Sequence, residues 1–232
     1  MRIGVIIQAR MSSTRLPGKM LKQIQGKSAL NYLLERIEQC LGLQDTIVAT
    51  STDNADDAIE DFCEESSVEC FRGSLENVAE RFNNAAKKYK LDAFVRICGD
   101  SPLLDPQLVD EHVQLFRQGA VDLVTNVANR TFPHGQSVEV LSTEVYCQTV
   151  DKMNLPQHFE HVTRYFYDYP DEFVIKEIKC PIECNDANFV IDTPEDLQRI
   201  SNLIKAMDKP HWEYHLKDLI RLDSQLRELS QA

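Results

Sequence analysis

The chain has 232 residues, 43% of them hydrophobic, with 8 Gly and 9 Pro; this suits one large core, without repeats or low-complexity tracts, and argues against two independent domains. Acidic side chains outnumber basic ones 37 to 25, and the net charge of −12 repels polyanions, so nucleic acid and anionic membrane are excluded as expected partners. Seven cysteines, an odd number without framework spacing, suit reduced thiols in a cytoplasmic protein, and Cys180 and Cys184 lack the second ligand pair a zinc site needs.

The apolar run Ile3 to Ile7 predicts a buried first strand; it is too short for a signal peptide, and no stretch approaches the roughly 18 apolar residues of a membrane span. After a polar loop, Leu30, Leu33, Leu34, Ile37 and Leu41 recur at helical spacing. Thr46 to Thr50 reads as a second strand, Ala55 to Glu65 as a helix with Ala58, Ile59 and Phe62 inward, and Val68 to Phe71 as a third strand. Leu75, Val78, Ala79, Phe82, Ala86 and Tyr89 mark a strongly periodic helix, followed by a fourth strand, Ala93 to Ile97.

The second half alternates less cleanly. A helix is expected near Pro106 to Arg117, a strand near Asp122 to Thr125, and a half-exposed alternating stretch from Ser137 to Leu141. Further strands are read at Phe173 to Ile178 and Phe189 to Ile191, then helices from Pro194 to Met207 and from Trp212 to Leu229. Strands alternating with helices predict an α/β fold, a Rossmann-like and mostly parallel sheet flanked by helices. A small mixed extension around residues 126–190 of the single 1–232 domain completes the expectation. Ligands in such folds bind at the carboxyl ends of strands. The loops after Ile7 and Ile97 both lie there.

The first of these loops stands out against the acidic background. Arg10, Arg15, Lys19 and Lys22 gather positive charge, and Ser12, Ser13 and Thr14 add hydroxyls directly after a strand. Guanidinium, ammonium and backbone N–H donors in such a place suit a triphosphate. The run is not a P-loop, since its Pro17-Gly18 turn places Lys19 differently. From composition alone, a solvated basic loop is an equally good reading.

The spacing goes further. Ala9-Arg-Met-Ser-Ser-Thr-Arg-Leu-Pro-Gly-Lys19 resembles the motif Ala-Arg-x-x-Ser-x-Arg-Leu-Pro-Gly-Lys of the cytidylyltransferases that make CMP-activated acidic sugars such as CMP-Kdo and CMP-sialic acid. Arg72-Gly-Ser-Leu-Glu-Asn-Val78, Arg96-Ile-Cys-Gly-Asp-Ser-Pro102, Pro133-His-Gly-Gln-Ser-Val-Glu139 and Glu160-His-Val-Thr163 are similar to blocks of its SpsF-like subgroup, in the same order. The likeness reaches from Ile3 to about Leu197.

What the resemblance implies is a nucleotide-diphospho-sugar transferase fold and transfer of CMP from CTP to an acidic sugar, with release of pyrophosphate, for surface polysaccharide biosynthesis. Arg10, Arg15 and Lys19 would hold phosphates, Ser13 would assist, and Arg72, Gly73 and Ser74 would lie near base and ribose. Arg10, Lys19 and Asp100 would be catalytic. Asp100 and Asp192 would hold Mg²⁺, a hard cation suited to carboxylate and phosphate oxygens. Taken alone, Asp100 reads as a turn or capping residue and Asp192 as the N-cap of the helix that Pro194 opens. His134, Glu139, Glu160 and His161 would bind the acceptor, and a homodimer is implied, with 126–141 as a candidate contact.

Two positions depart from the subgroup. Ser137 stands where it has Asp, and Phe159 where it has Arg, which puts the acceptor's identity in question. A glycosyltransferase of similar fold commonly carries Asp-x-Asp, and none occurs here. A non-catalytic nucleotide-sugar-binding relative is the other alternative, against which Arg10, Arg15, Lys19 and Asp100 stand intact. Tyr165, Phe166 and Tyr167 read as core and rim packing.

Overall fold

The computed structural model describes residues 1–184 and 187–231. Strand β1 (Ile3–Gln8) is followed by the basic loop, a two-strand ribbon of β2 (Gln23–Ile24) and β3 (Lys27–Ser28), and helix α1 (Ala29–Ile37). β4 (Asp45–Ser51), α2 (Asp57–Glu65), β5 (Glu69–Gly73), α3 (Val78–Lys88) and β6 (Ala93–Cys98) complete the regular half. α4 (Pro106–Gln118) leads to β7 (Leu123–Thr125), β8 (Glu139–Ser142), α5 (Thr143–Val150), α6 (Pro156–Glu160), α7 (Arg164–Asp168) and β9 (Ile175–Glu177). α8 (Pro194–Lys205) and α9 (Leu216–Gln231) end the described chain.

One seven-stranded sheet has the order β5-β4-β1-β6-β8-β7-β9. Its first four strands are parallel, with Ile6 opposite Ile47 and Arg96. β8 enters antiparallel between β6 and β7, and β9 pairs parallel with β7. The expected mostly parallel sheet with a mixed region is therefore present, and the mixed strands extend the same sheet.

Alternation along the strands divides the core between the two faces. Ile3, Val5 and Ile7 join Ala93, Val95, Ile97 and Val140 under α1, α4, α8 and α9. Ile6, Ile47, Phe94 and Leu141 face the other way, against Val78, Phe82, Tyr146 and Phe166. Side-chain caps open several helices: Ser28 accepts from the Asn31 N–H, Asn77 from Glu80, and Thr193 from Asp196 in a capping box.

Several expectations are corrected. The stretch from Ser137 to Leu141 is not half-exposed: Val138, Glu139, Val140 and Leu141 are fully buried, because helices cover both faces of the sheet. Phe189 to Ile191 is no strand; it is held by single bonds, the Phe189 N–H donating to the His134 carbonyl at 2.8 Å and the Ile191 N–H to that of Asp100 at 2.9 Å. At Gly135, φ is +90°, and a Cβ would meet the Phe189 carbonyl carbon at 2.6 Å, so only glycine lets these segments touch. Helix α1 ends at Ile37, leaving Leu41 93% exposed. Glu160 ends the short helix α6 and His161 caps it, three residues before α7 begins.

Among the described residues, no helix is long and apolar enough to cross a membrane. The Cys180 and Cys184 sulfurs lie 2.9 Å apart, and no group of three or more His, Cys, Asp or Glu among the described residues is arranged to hold a metal.

Candidate active site

The loop after β1 is shaped by its own backbone. The Ser13 and Gly18 N–H groups both donate to the Met11 carbonyl at 3.0 Å, and Gly18 takes a left-handed φ of 67° that turns the chain into a short 3-10 segment, Lys19–Leu21. The Ser13 hydroxyl accepts from the Leu16 N–H at 3.5 Å. Asp56 anchors the start of the loop: one carboxylate oxygen accepts the Met11 N–H at 2.6 Å and the other the Ser51 hydroxyl at 2.5 Å. Burial raises the Asp56 carboxyl, but the Met11 and Ser51 hydrogen bonds outweigh it and hold the group below the usual carboxylate range.

That turn drives Lys19 inward, to 8% exposure. Its Nζ donates to Asp100 at 2.7 Å and to Asp192 at 2.8 Å, and Arg15 meets the other Asp192 oxygen at 2.9 Å. Burial pulls the Lys19 ammonium toward neutrality, yet Asp100 and Asp192 outweigh it and hold the group above its ordinary value. For Asp192, burial raises the carboxyl and Lys19 and Arg15 more than reverse this. Thr193, not Asp192, caps α8, because Asp196 completes the capping box with it; Asp192 is thereby left to face the cavity.

The cavity, about 290 Å³, is lined by Arg10, Arg15, Lys19, Asp100 and Asp192 together with Gln8, Cys98 and the hydroxyls of Ser12, Ser13 and Thr14. It lies at the carboxyl ends of β1 and β6, where sequence reasoning put it. Two carboxylates converging on one positive centre are a donor set that suits Mg²⁺, with phosphate oxygens and water completing the shell. Asp100 and Asp192 are the residues that would hold such an ion.

Other expected residues lie elsewhere. The Arg72 guanidinium is taken by Glu60 at 2.6 Å, Asp57 at 2.7 Å and the carbonyls of Ser51 and Asp53, so it braces β4 against α2 and does not line the cavity. Gly73 ends β5, and the Ser74 hydroxyl accepts the Asn77 N–H at 3.0 Å. His134 is exposed and absent from the cavity wall. Glu139 is fully buried, with one oxygen 3.1 Å from Arg96 and the other bonded by the Tyr167 hydroxyl, so direct contact with an acceptor is not open to it. Glu160 reaches the site by pairing with Arg10 at 3.1 Å, and His161 follows it, exposed.

Sequence reasoning missed Gln8 and Cys98, whose place on the wall follows from strand ends closing β1 and β6, and also Arg81, which is not on the wall but feels the charges of Asp56, Arg10 and Glu160 beside it. Arg81 is fully buried, donates to the Ser74 carbonyl at 2.8 Å, and is pulled by burial down to about 10. Its place on the periodic face of α3 beside Val78 and Phe82 was the available signal.

Similarity to known proteins agrees with this geometry. The chain is 34% identical over 214 residues to the spore coat polysaccharide biosynthesis protein SpsF of Bacillus subtilis (strain 168), covering 88% of each. It is 27% identical over 240 residues to the 3-deoxy-manno-octulosonate cytidylyltransferase of Solibacter usitatus, covering 87% of this chain and 94% of that one. The structure of a cytidylyltransferase from Leptospira borgpetersenii serovar Hardjo-bovis superposes with a TM-score of 0.92 at 31% identity, covering 99% of this chain and 96% of the other. With the family pattern described as cytidylyltransferase matching residues 4–230, the chain belongs to the cytidylyltransferase family of nucleotidyltransferases.

Proposed function

We propose that the protein transfers CMP from CTP to a hydroxyl of an acidic sugar of the ulosonic or nonulosonic type, releasing pyrophosphate, with Mg²⁺ held by Asp100 and Asp192. The observation that carries the reading is the Lys19 ammonium, buried between two carboxylates in a cavity rimmed by Arg10, Arg15 and three hydroxyls. The acidic-sugar acceptor is supported by the Solibacter relative, and a part in surface polysaccharide synthesis by the Bacillus one.

In the proposed step the acceptor oxygen bonds to the α-phosphorus, the bond from that phosphorus to the bridging oxygen breaks, and pyrophosphate departs while the hydroxyl proton passes to solvent. Arg10, Arg15 and Lys19 hold the phosphates in line and offset the charge that builds on their oxygens. Asp100 and Asp192 would hold Mg²⁺ there, and the ion would supply Lewis-acid stabilisation of the charge that builds during transfer. Ser13 splits its hydroxyl between the loop's own backbone and the cavity.

The test is pyrophosphate release from each of CTP, UTP, ATP and GTP against a panel of ulosonic and nonulosonic acids, neutral sugars and sugar phosphates. Turnover with CTP and an acid is the expected result. Turnover confined to neutral sugars or sugar phosphates would reject the acceptor class, and a preference for another nucleotide would reject CTP.

A further inference from the structure

Gln8 is the last residue of β1 and lies on the cavity wall between the basic loop and Cys98. Its side-chain oxygen accepts from Arg96 Nη2 at 3.2 Å. Arg96 is not free to turn, because its Nη1 donates to Glu139 at 3.1 Å. Glu139 in turn accepts the Tyr167 hydroxyl, which lies 2.8 Å from Thr125 Oγ1. Side chains of four adjacent strands and α7 thus form one polar row under the cavity, and Glu139 in it is wholly buried.

An amide whose oxygen is committed on one side must present its NH₂ on the other. Among the described residues nothing accepts from Gln8 Nε2. A buried ion pair is seldom the cheapest way to stabilise a sheet, since well-packed apolar residues often do as well; here it has a second effect, the fixed polarity of Gln8.

The row also tells which substrate Gln8 meets. Phosphates already have Arg10, Arg15, Lys19 and the loop hydroxyls of the same cavity to hold them. From Gln8 the row runs through β6 to β8 and α7, the half of the molecule that carries Glu160 and His161. Gln8 supplies no charge, so it suits an oxygen of a polyhydroxylated molecule better than a polyphosphate.

We propose that Gln8 reads the acceptor, its Nε2 donating to an oxygen of the molecule that receives CMP, with Arg96 and Glu139 as positioning residues that hold the amide in that orientation. This rests on reading the cavity as a cytidylyl-transfer site. It does not depend on the acceptor being acidic.

The experiment compares Gln8→Glu and Gln8→Met with wild type, using the acceptor that wild type turns over. Glu keeps an oxygen for Arg96 and strengthens that bond, so a merely structural Gln8 would tolerate it; a donor would not. Gln8→Glu is expected to melt near wild type and Gln8→Met lower, since Arg96 loses an acceptor, while both raise the acceptor KM by about tenfold or more, the loss of one buried hydrogen bond to a polar substrate, with the KM for CTP unmoved. An unchanged acceptor KM in Gln8→Glu, or an equal rise in the KM for CTP, would overturn the assignment. If wild type proves active only with a non-acidic acceptor, the acid class falls while the Gln8 comparison proceeds with that acceptor.

Discussion

Lys19 touches both carboxylates of the cavity, and its removal leaves Asp100 and Asp192 facing a triphosphate with less to offset them. Lys19→Ala is expected to lower turnover on the order of 10²-fold, the scale of losing one charge-stabilising group. Pyrophosphate release at saturating CTP measures it, and near-wild-type turnover would remove Lys19 from the chemistry. Asp100→Asn keeps the shape of the side chain and its hydroxyl neighbour Ser101, 3.3 Å away, but loses the charge a hard cation needs. Its half-saturating Mg²⁺ concentration should rise by about tenfold or more; an unchanged titration would place the ion elsewhere. Most of this site was legible in the sequence because Arg10, Ser13, Arg15 and Lys19 share one loop of dense charge after a strand. Asp100 and Asp192 were legible only through the family's likeness, since each by itself reads as a capping residue. Arg72 is absent from the cavity wall for a reason the sequence hides: a cation in a motif shows its charge, while Asp57 and Glu60, which occupy it, are visible only in the fold.

Among the elements, those with a strong period were read well and those defined by a neighbour were not. α3 and α8 hold their inward residues at the spacing the sequence displays, with Phe82 and Leu203 fully buried. β8 fails the alternation rule because its second face meets α5 and Tyr167 rather than water, and no local pattern reports that. Helix α4 carries a further hidden element. His112 on its inner face is fully buried, its Nδ1–H donates to the Leu108 carbonyl at 2.7 Å, and Nε2 has no partner among the described residues. Burial pulls its pKa down to about 4, against which the Leu108 bond is the lesser influence. The folded protein therefore keeps His112 neutral while the unfolded chain takes up a proton near pH 6.5. Its contribution is complete above about pH 6.5 and is lost as pH falls toward 4, on the order of 3 kcal/mol across the window. His112→Gln retains a donor for Leu108 without titrating, so the urea midpoint of the variant should decline less steeply than wild type between those pH values. Parallel declines would show that other groups govern the acid limb.

At the scale of the whole molecule, the basic loop sits in an acidic protein, so the general field repels anions while the cavity draws them in. What keeps that cavity formed is the tie between the chain's two ends, since Asp192 comes from the late segment and Lys19 from the early one. Arg36, at the end of α1 and fully buried, makes part of that tie. It donates to the carbonyl of Leu104 at 2.6 Å, to that of Tyr214 at 2.7 Å and to that of His211. Burial lowers its pKa to about 10, with Asp105 opposing, so the guanidinium stays charged at neutral pH. Arg36→Met fills much of the same space but strands three buried carbonyls, which is expected to cost about 3 kcal/mol. The chain's single tryptophan, Trp212, lies between His211 and Tyr214 and reports this junction directly. Tyr214, Leu216 and Leu219 belong to the same core as Leu33 and Ile37 of α1, so the junction should not melt by itself. In urea, Trp212 fluorescence and far-ultraviolet dichroism should therefore move together to a lower midpoint in the variant. A fluorescence transition well ahead of the dichroism would instead show that Arg36 secures only the C-terminal segment, and that the sheet and the cavity's early half stand without it.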